Sequence, residues 1–261
     1  MTGRFKINNP SNNILLLLYG LLLKLPLFLN PQMPMLQSSD GPLYSSWIIW
    51  MQRIFFGFPV VFNLILFLLL YFQAISFNKA VNDQRMMQKP NYLTGMAYLL
   101  ITSMFSEWFA LSAAVISSTL LIWVWSKLCS LHNNNSAKTI IYNIGLVIGI
   151  ASFLYYPAII FVLLFMMGIA ITRPFRLNEW LIGLLGIGTA FYFYAAWIFL
   201  SGQWNSFHFT PISISTPVFF ETKWALAAIL LVMLSLVLGF YFIQNNMRRQ
   251  VVQTRKSWQL I

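Results

Sequence analysis

Apolar runs close to the length of a bilayer crossing recur from one end of this chain to the other, and few folds accommodate that pattern. Pro, Asn and charged clusters separate eight of them, at residues 13–29, 58–77, 92–105, 110–126, 139–154, 158–171, 180–200 and 224–243. A hydrocarbon core about 30 Å thick takes roughly 20 residues of helix, and a lone strand inside it cannot satisfy its own backbone. The runs therefore predict an all-α polytopic transmembrane helix bundle, with residues 1–261 as a single transmembrane domain. Composition agrees: 59% of the residues are hydrophobic and 8% charged, whereas soluble domains carry about 25% charged residues.

Two stretches decide the number of crossings. Residues 92–126 as one helix would be about 52 Å long at 1.5 Å per residue, so "SEWF" is read as the tip of a hairpin. Residues 139–171 meet the same limit, and Pro157 cannot continue a helix without losing a backbone hydrogen bond. Eight spans follow, and the basic residues test them. With a cytoplasmic N-terminus, the inner segments hold Arg4, Lys6, Lys79, Arg85, Lys89, Lys127, Lys138, Arg173, Arg176, Arg248, Arg249, Arg255 and Lys256. The outer segments hold Arg53 and Lys223 alone, and Lys24 lies within the first span. This is a strong positive-inside bias, and it predicts cytoplasmic termini. The acids fall differently: Asp40, Glu107 and Glu221 outside, Asp83 and Glu179 inside.

The net charge of +11 is thereby explained by residues flanking spans, and no basic stripe or motif points to nucleic acid. The single cysteine, Cys129, excludes an intramolecular disulfide. The first run is followed by "NPQMPMLQ" instead of a small-residue cleavage site, so it is read as an uncleaved span. The final "QLI" resembles the opening of another apolar run, which fits either a short protein or one that continues.

Few residues offer chemistry. Asp40 precedes Gly41-Pro42, a combination that reads as a turn or helix cap. Residues 43–56 form an expected interfacial helix in the first outer loop, with Tyr44, Trp47, Ile48 and Met51 at helical spacing. Glu107 at the hairpin tip reads as a cap for the next helix. Lys24 lies near enough to the outer end of its span to snorkel, yet an ionisable group in a span is also a functional candidate by default. His132 and His208 have no partner at ligand spacing, so no metal site is expected. Gly145 and Gly149 form a GxxxG step that fits packing within the bundle as well as dimerisation. A small transporter is disfavoured, since no broken-helix pair stands in matching halves.

The opening span, an acid-bearing loop, a Tyr and an interfacial helix resemble the start of the C-type (GT-C) fold of membrane glycosyltransferases. "SEWFALSAAVISSTLLIWVWSKL" and "IGLVIGIASFLYYPAIIFVLLFMMGIAITRPFRLNEWLIGLLGIG" extend that pattern over residues 10–200. A closer likeness, carried by "NNPSNNILLLLYGLLLKLPLF", "QAISFNKAVNDQRMMQKPNYLTGMAYLLITSMFSEW", "IGLVIGIASFLYYP" and "ITRPFRLNEW", is to an uncharacterised family of integral membrane proteins from Bacteroidota. It implies a bacterial inner membrane location and no activity. The GT-C resemblance implies sugar transfer from a polyprenyl-phosphate donor at the periplasmic face. Asp40 and Glu107 would be its catalytic carboxylates, Lys24, Tyr44 and Arg53 its substrate contacts, and a divalent cation an admissible cofactor. Such enzymes commonly carry a paired acidic motif and a sizeable soluble domain, whereas this chain has a lone Asp and a last outer loop of residues 201–223. The alternative is a non-catalytic membrane subunit or scaffold of an envelope assembly or secretion complex, with other envelope membrane proteins as partners.

Overall fold

A computed structural model describes residues 2–55, 58–132, 136–202, 222–247 and 252–260. Among the described residues the secondary structure is helical, in the order α1 (Thr2–Phe5), α2 (Asn12–Leu23), α3 (Leu25–Leu29), α4 (Pro42–Ile54), α5 (Pro59–Asp83), α6 (Leu93–Thr102), α7 (Ala113–Cys129), α8 (Ala137–Leu154), α9 (Phe161–Thr172), α10 (Leu177–Leu200), α11 (Thr222–Met247) and α12 (Val252–Gln259). Two 3-10 turns, Ser106–Phe109 and Tyr156–Ile160, occupy the "SEWF" and "YYP" breaks. Four helical stretches are long and apolar enough to cross a membrane: Pro59–Asp83, Ala137–Leu154, Leu177–Leu200 and Trp224–Asn245. The chain is a helical membrane protein.

The chain divides into two compact units. The first comprises residues 1–35, 52–115 and 216–261, and the second 36–51 and 116–215. The core of the first unit forms around Phe5, Leu16, Ala74 and Leu99, with Tyr19, Tyr71 and Met96 packed against it. Small residues let α2, α5 and α6 approach. A Cβ at Gly20 would lie 3.1 Å from Leu99, and one at Gly95 would lie 3.2 Å from Leu16 and 3.3 Å from the Ala74 carbonyl. Side-chain amides then pin the helices: Asn63 donates to the Leu27 carbonyl at 2.6 Å and Gln73 to that of Val115 at 2.8 Å. Such bonds matter in apolar surroundings, where an unpaired polar group is costly.

Two expected boundaries move. The first apolar run is not one helix: α2 stops at Leu23, Lys24 leaves helical geometry at φ −95° and ψ 12°, and α3 starts with Pro26 in its first turn. Proline is tolerated there because that N–H has no intrahelical acceptor. The second run extends beyond residue 77 to Asp83, since its polar end "NKAVND" keeps good helix geometry until a Schellman closure. Arg85 adopts φ 52°, its N–H reaches the Asn82 carbonyl at 3.0 Å, and the Met86 N–H reaches that of Val81 at 3.2 Å. α12 docks on this turn, with the Ser257 hydroxyl donating to Gln84 Oε1 at 3.2 Å.

The second unit is organised by α8 and α10. Ile141 and Gly145 meet Gly183, Tyr142 meets Gly186, and Gly149 meets Ile187 and Ala190. Farther along, Phe153 stacks on Phe191 and Tyr194 at 4.8 and 4.4 Å between ring centroids. Both residue series rise together, so the two helices run parallel. A Cβ at Gly145 or Gly186 would fall against the facing backbone carbonyl, of Gly183 and Tyr142 respectively. The GxxxG step therefore packs within the chain. Parallel neighbours require the connecting segment to return to its starting end. Tyr156–Ile160 and α9 make that return, covering about 28 Å at 2.0 and 1.5 Å per residue. The eighteen residues of α8 cover about 27 Å on the same rise.

Candidate functional site

Asp40 sits at a backbone crossing inside the second unit. The Gly41 N–H donates to the Leu154 carbonyl at 2.8 Å, and the Tyr156 N–H donates to that of Ser39 at 3.1 Å. The two strands of chain thus pair around Asp40 and Tyr155. Only glycine permits this, because a Cβ at residue 41 would overlap the Phe153 carbonyl. The Asp40 carboxylate is buried and accepts the Gln37 N–H at 2.8 Å. It therefore closes the turn that precedes α4 and does not cap that helix. The turn reading of "DGP" is the one realised.

α4 covers residues 42–54, close to the expected 43–56, of which residue 56 lies outside the described residues. Tyr44 and Ile48 are fully buried, while Ile49 and Trp50 are exposed, so the helical spacing identified the inward face. Burial pushes the Asp40 carboxyl above the usual carboxylate range, against the opposing pull of the Gln37 N–H. Burial first, and then the Asp40 charge, push the Tyr44 and Tyr155 phenols upward. Asp40, Tyr44 and Tyr155 therefore share one electrostatic neighbourhood. Sequence reasoning missed Tyr155, whose approach depends on the Gly41–Leu154 pairing.

Lys24 belongs to the first unit and does not snorkel. It is fully buried, its Nζ donating to the Thr102 carbonyl at 2.6 Å and reaching that of Trp108 at 3.4 Å. The Phe109 ring closes the cage, with its centroid 4.2 Å from Nζ. Thr102 ends α6, where carbonyls lack intrahelical donors and the helix dipole is negative. The break before Pro26 places the Lys24 stem against that end, which is the physical reason the ammonium stays inside. No carboxylate pairs with Lys24 among the described residues.

The other candidates lie open. Glu107 is exposed in the Ser106–Phe109 turn, and its expected capping role falls to Ser112, whose Oγ accepts the Val115 N–H at 3.4 Å. Arg53 is exposed in the last turn of α4, where a cation complements the dipole. Asp40 and Tyr44 belong to the second unit, and Lys24, Arg53 and Glu107 to the first. Glu221 and His208 lie outside the described residues. Among the described residues no group of three or more His, Cys, Asp or Glu converges, so the described side chains form no carboxylate cage for a divalent cation.

Sequence reasoning also missed an ion pair between a half-buried arginine and a buried glutamate. Arg173 Nε lies 3.0 Å from Glu179 Oε2 across the turn between α9 and α10. Glu179 is in the first turn of α10, where a carboxylate favours the positive helix end. Comparison of the chain with known protein families, with curated proteins and with solved structures finds no match.

Proposed function

We propose that this chain is a multi-pass subunit of a bacterial inner membrane, with eight crossings and cytoplasmic termini, serving as a non-catalytic scaffold in an envelope assembly. The observation that carries the reading is the engagement of Asp40: its carboxylate closes a turn, and its neighbours tie two distant stretches together. Lys24 fits the same account, since its ammonium serves the end of α6. The parallel course of α8 and α10 supports two crossings in residues 139–171, and the positive-inside bias supports the rest. Purification from native membranes in mild detergent tests the proposal. Stoichiometric envelope proteins accompanying the chain are expected, and recovery of the chain with polyprenyl-phosphate lipid alone would overturn it.

A second reading, sugar transfer from a polyprenyl-phosphate donor by a GT-C-like core, is favoured by one observation. Asp40 gathers Tyr44 and Tyr155 around a carboxyl whose proton affinity burial raises, a shift in the direction a general acid needs. On that reading, Asp40→Asn abolishes transfer with protein abundance unchanged. Retained transfer would rule Asp40 out as the acid or base.

A further inference from the structure

The crossing around Asp40 is held by few bonds. Gly41 N–H meets the Leu154 carbonyl and Tyr156 N–H meets that of Ser39, and among the described residues this bridge stands outside any strand. Asp40, at its centre, is only 8% exposed. An ionised carboxylate offers about four acceptor positions, yet the Gln37 N–H is the single hydrogen-bond donor to this one among the described residues. No cation pairs with it among those residues either, and Arg53 is exposed at the far end of α4. The titratable groups that face Asp40 are phenols, Tyr44 from α4 and Tyr155 from the C-cap of α8, with Tyr156 beside Tyr194 of α10. Phenols are neutral where a carboxyl titrates, so none of them offsets its charge. A charge buried with so little compensation is costly, and the neutral carboxyl is far less so.

From this arrangement we infer that the crossing is a pH-operated fastening: a neutral Asp40 keeps the start of α4 tied to the end of α8, and ionisation releases it. Release breaks two backbone hydrogen bonds that water can replace, an opening of the local kind. Burial raises the proton affinity of the closed form, so closure is favoured at low pH and weakens as pH rises through the closed-state value. The fastening regulates the same tie that carries the scaffold reading. It rests on that reading for its purpose, and on the outer placement of Asp40 for its exposure to external pH.

Hydrogen exchange at the Gly41 and Tyr156 amides tests it, on the purified full chain in bilayer discs from about pH 4 to about pH 7, corrected for intrinsic exchange. Protection of both amides should fall as pH rises, by up to about tenfold per pH unit within the titration window. Asp40→Asn and Asp40→Ser, two neutral side chains that still accept from Gln37, should keep both amides protected throughout. A parent whose protection does not change with pH would overturn the fastening, whatever the variants do. The same fall in the neutral variants would assign it to other groups and overturn the role of Asp40. A parallel fall at Ile144 and Ile148, buried inside α8, would mark global unfolding and overturn a local release. The measurement uses the isolated chain, so its failure is distinct from that of the scaffold reading, which is decided by what accompanies the chain from native membranes.

Discussion

At the scale of single residues, the two ionisable groups most suggestive of chemistry are both turned inward. Lys24 is held by carbonyls and a ring, so its removal has a defined cost. Lys24→Ala leaves the Thr102 carbonyl unpaired, about 1–3 kcal/mol, and opens a cavity besides. Lys24→Gln keeps a donor for that carbonyl, so it should recover about 2 kcal/mol relative to Ala in detergent unfolding. Equal losses for Ala and Gln would show that the hydrogen bond contributes nothing. Asp40 gives a pH signature. Its folded-state pKa is raised above the ordinary 3.8, so between the two values the folded protein holds the extra proton. That contribution is fully present below the ordinary value and lost as pH rises through the folded one. Parent stability should therefore decline with rising pH over this window, while Asp40→Asn, which still accepts from Gln37, removes that component. A parent and an Asn variant with identical pH profiles would contradict the burial of a titrating carboxyl. The turn itself was legible, since Asp-Gly-Pro is turn chemistry wherever it stands. The need for glycine at 41 was not, because the obstructing Phe153 carbonyl is remote in sequence.

At the scale of elements, apolar length and helix punctuation carried most of the information. Each of the eight expected runs overlaps helix, the first divided at Lys24, and the breaks at "SEWF" and "YYP" became 3-10 turns. What periodicity could not supply was partnership. Gly145 and Gly149 announce a close approach without saying to what, and only the packing identifies α10, where Gly183 and Gly186 answer them. The first run shows a different limit. Its apolar content was visible, but the division at Lys24 depends on a cage built by residues from α6 and the following turn. The seam makes a direct prediction. The Tyr142 hydroxyl lies 3.0 Å from Thr189 Oγ1, so cysteines at both positions, in a Cys129→Ser background, should be bridged within one chain by a short bifunctional thiol reagent that takes the place of the lost phenol ring, the gap being too wide for a direct disulfide. The product should migrate as a monomer, and Gly186→Leu should suppress it by forcing the helices apart. A crosslinked dimer would transfer the seam to an interface between copies.

At the scale of the whole molecule, helix length alone and chain direction give different counts of crossings. Four stretches are long enough to cross unaided, whereas α2 and α6 span only about 18 and 15 Å. The return of the chain between parallel α8 and α10 shows how a short helix still carries direction, since α9 reaches full depth with the 3-10 turn before it. By the same logic α2 is extended by α3, and α6 by the residues leading to Ser106. The two counts assign opposite sides to particular residues. With eight crossings and an inner N-terminus, Glu107 lies outside and Arg255 inside. With only the four long stretches crossing, and the end of α5 kept inside, Glu107 moves inside and Arg255 outside. That arrangement also exports Arg173, Arg176 and the basic C-terminal residues, against the charge bias. Impermeant thiol labelling of intact cells, with single cysteines in a Cys129→Ser background, decides between them. Cysteines at Ser38 and Glu107 should react, and those at Ser136 and Arg255 should react only after permeabilisation. Protection at 107 together with labelling at 255 would establish the four-crossing arrangement. It would also place Lys138 and Arg176 on opposite terms with the membrane, because Arg176 would then face the outer leaflet while Lys138 faced the inner. Since both residues line one cleft, the packing itself argues against the four-crossing arrangement.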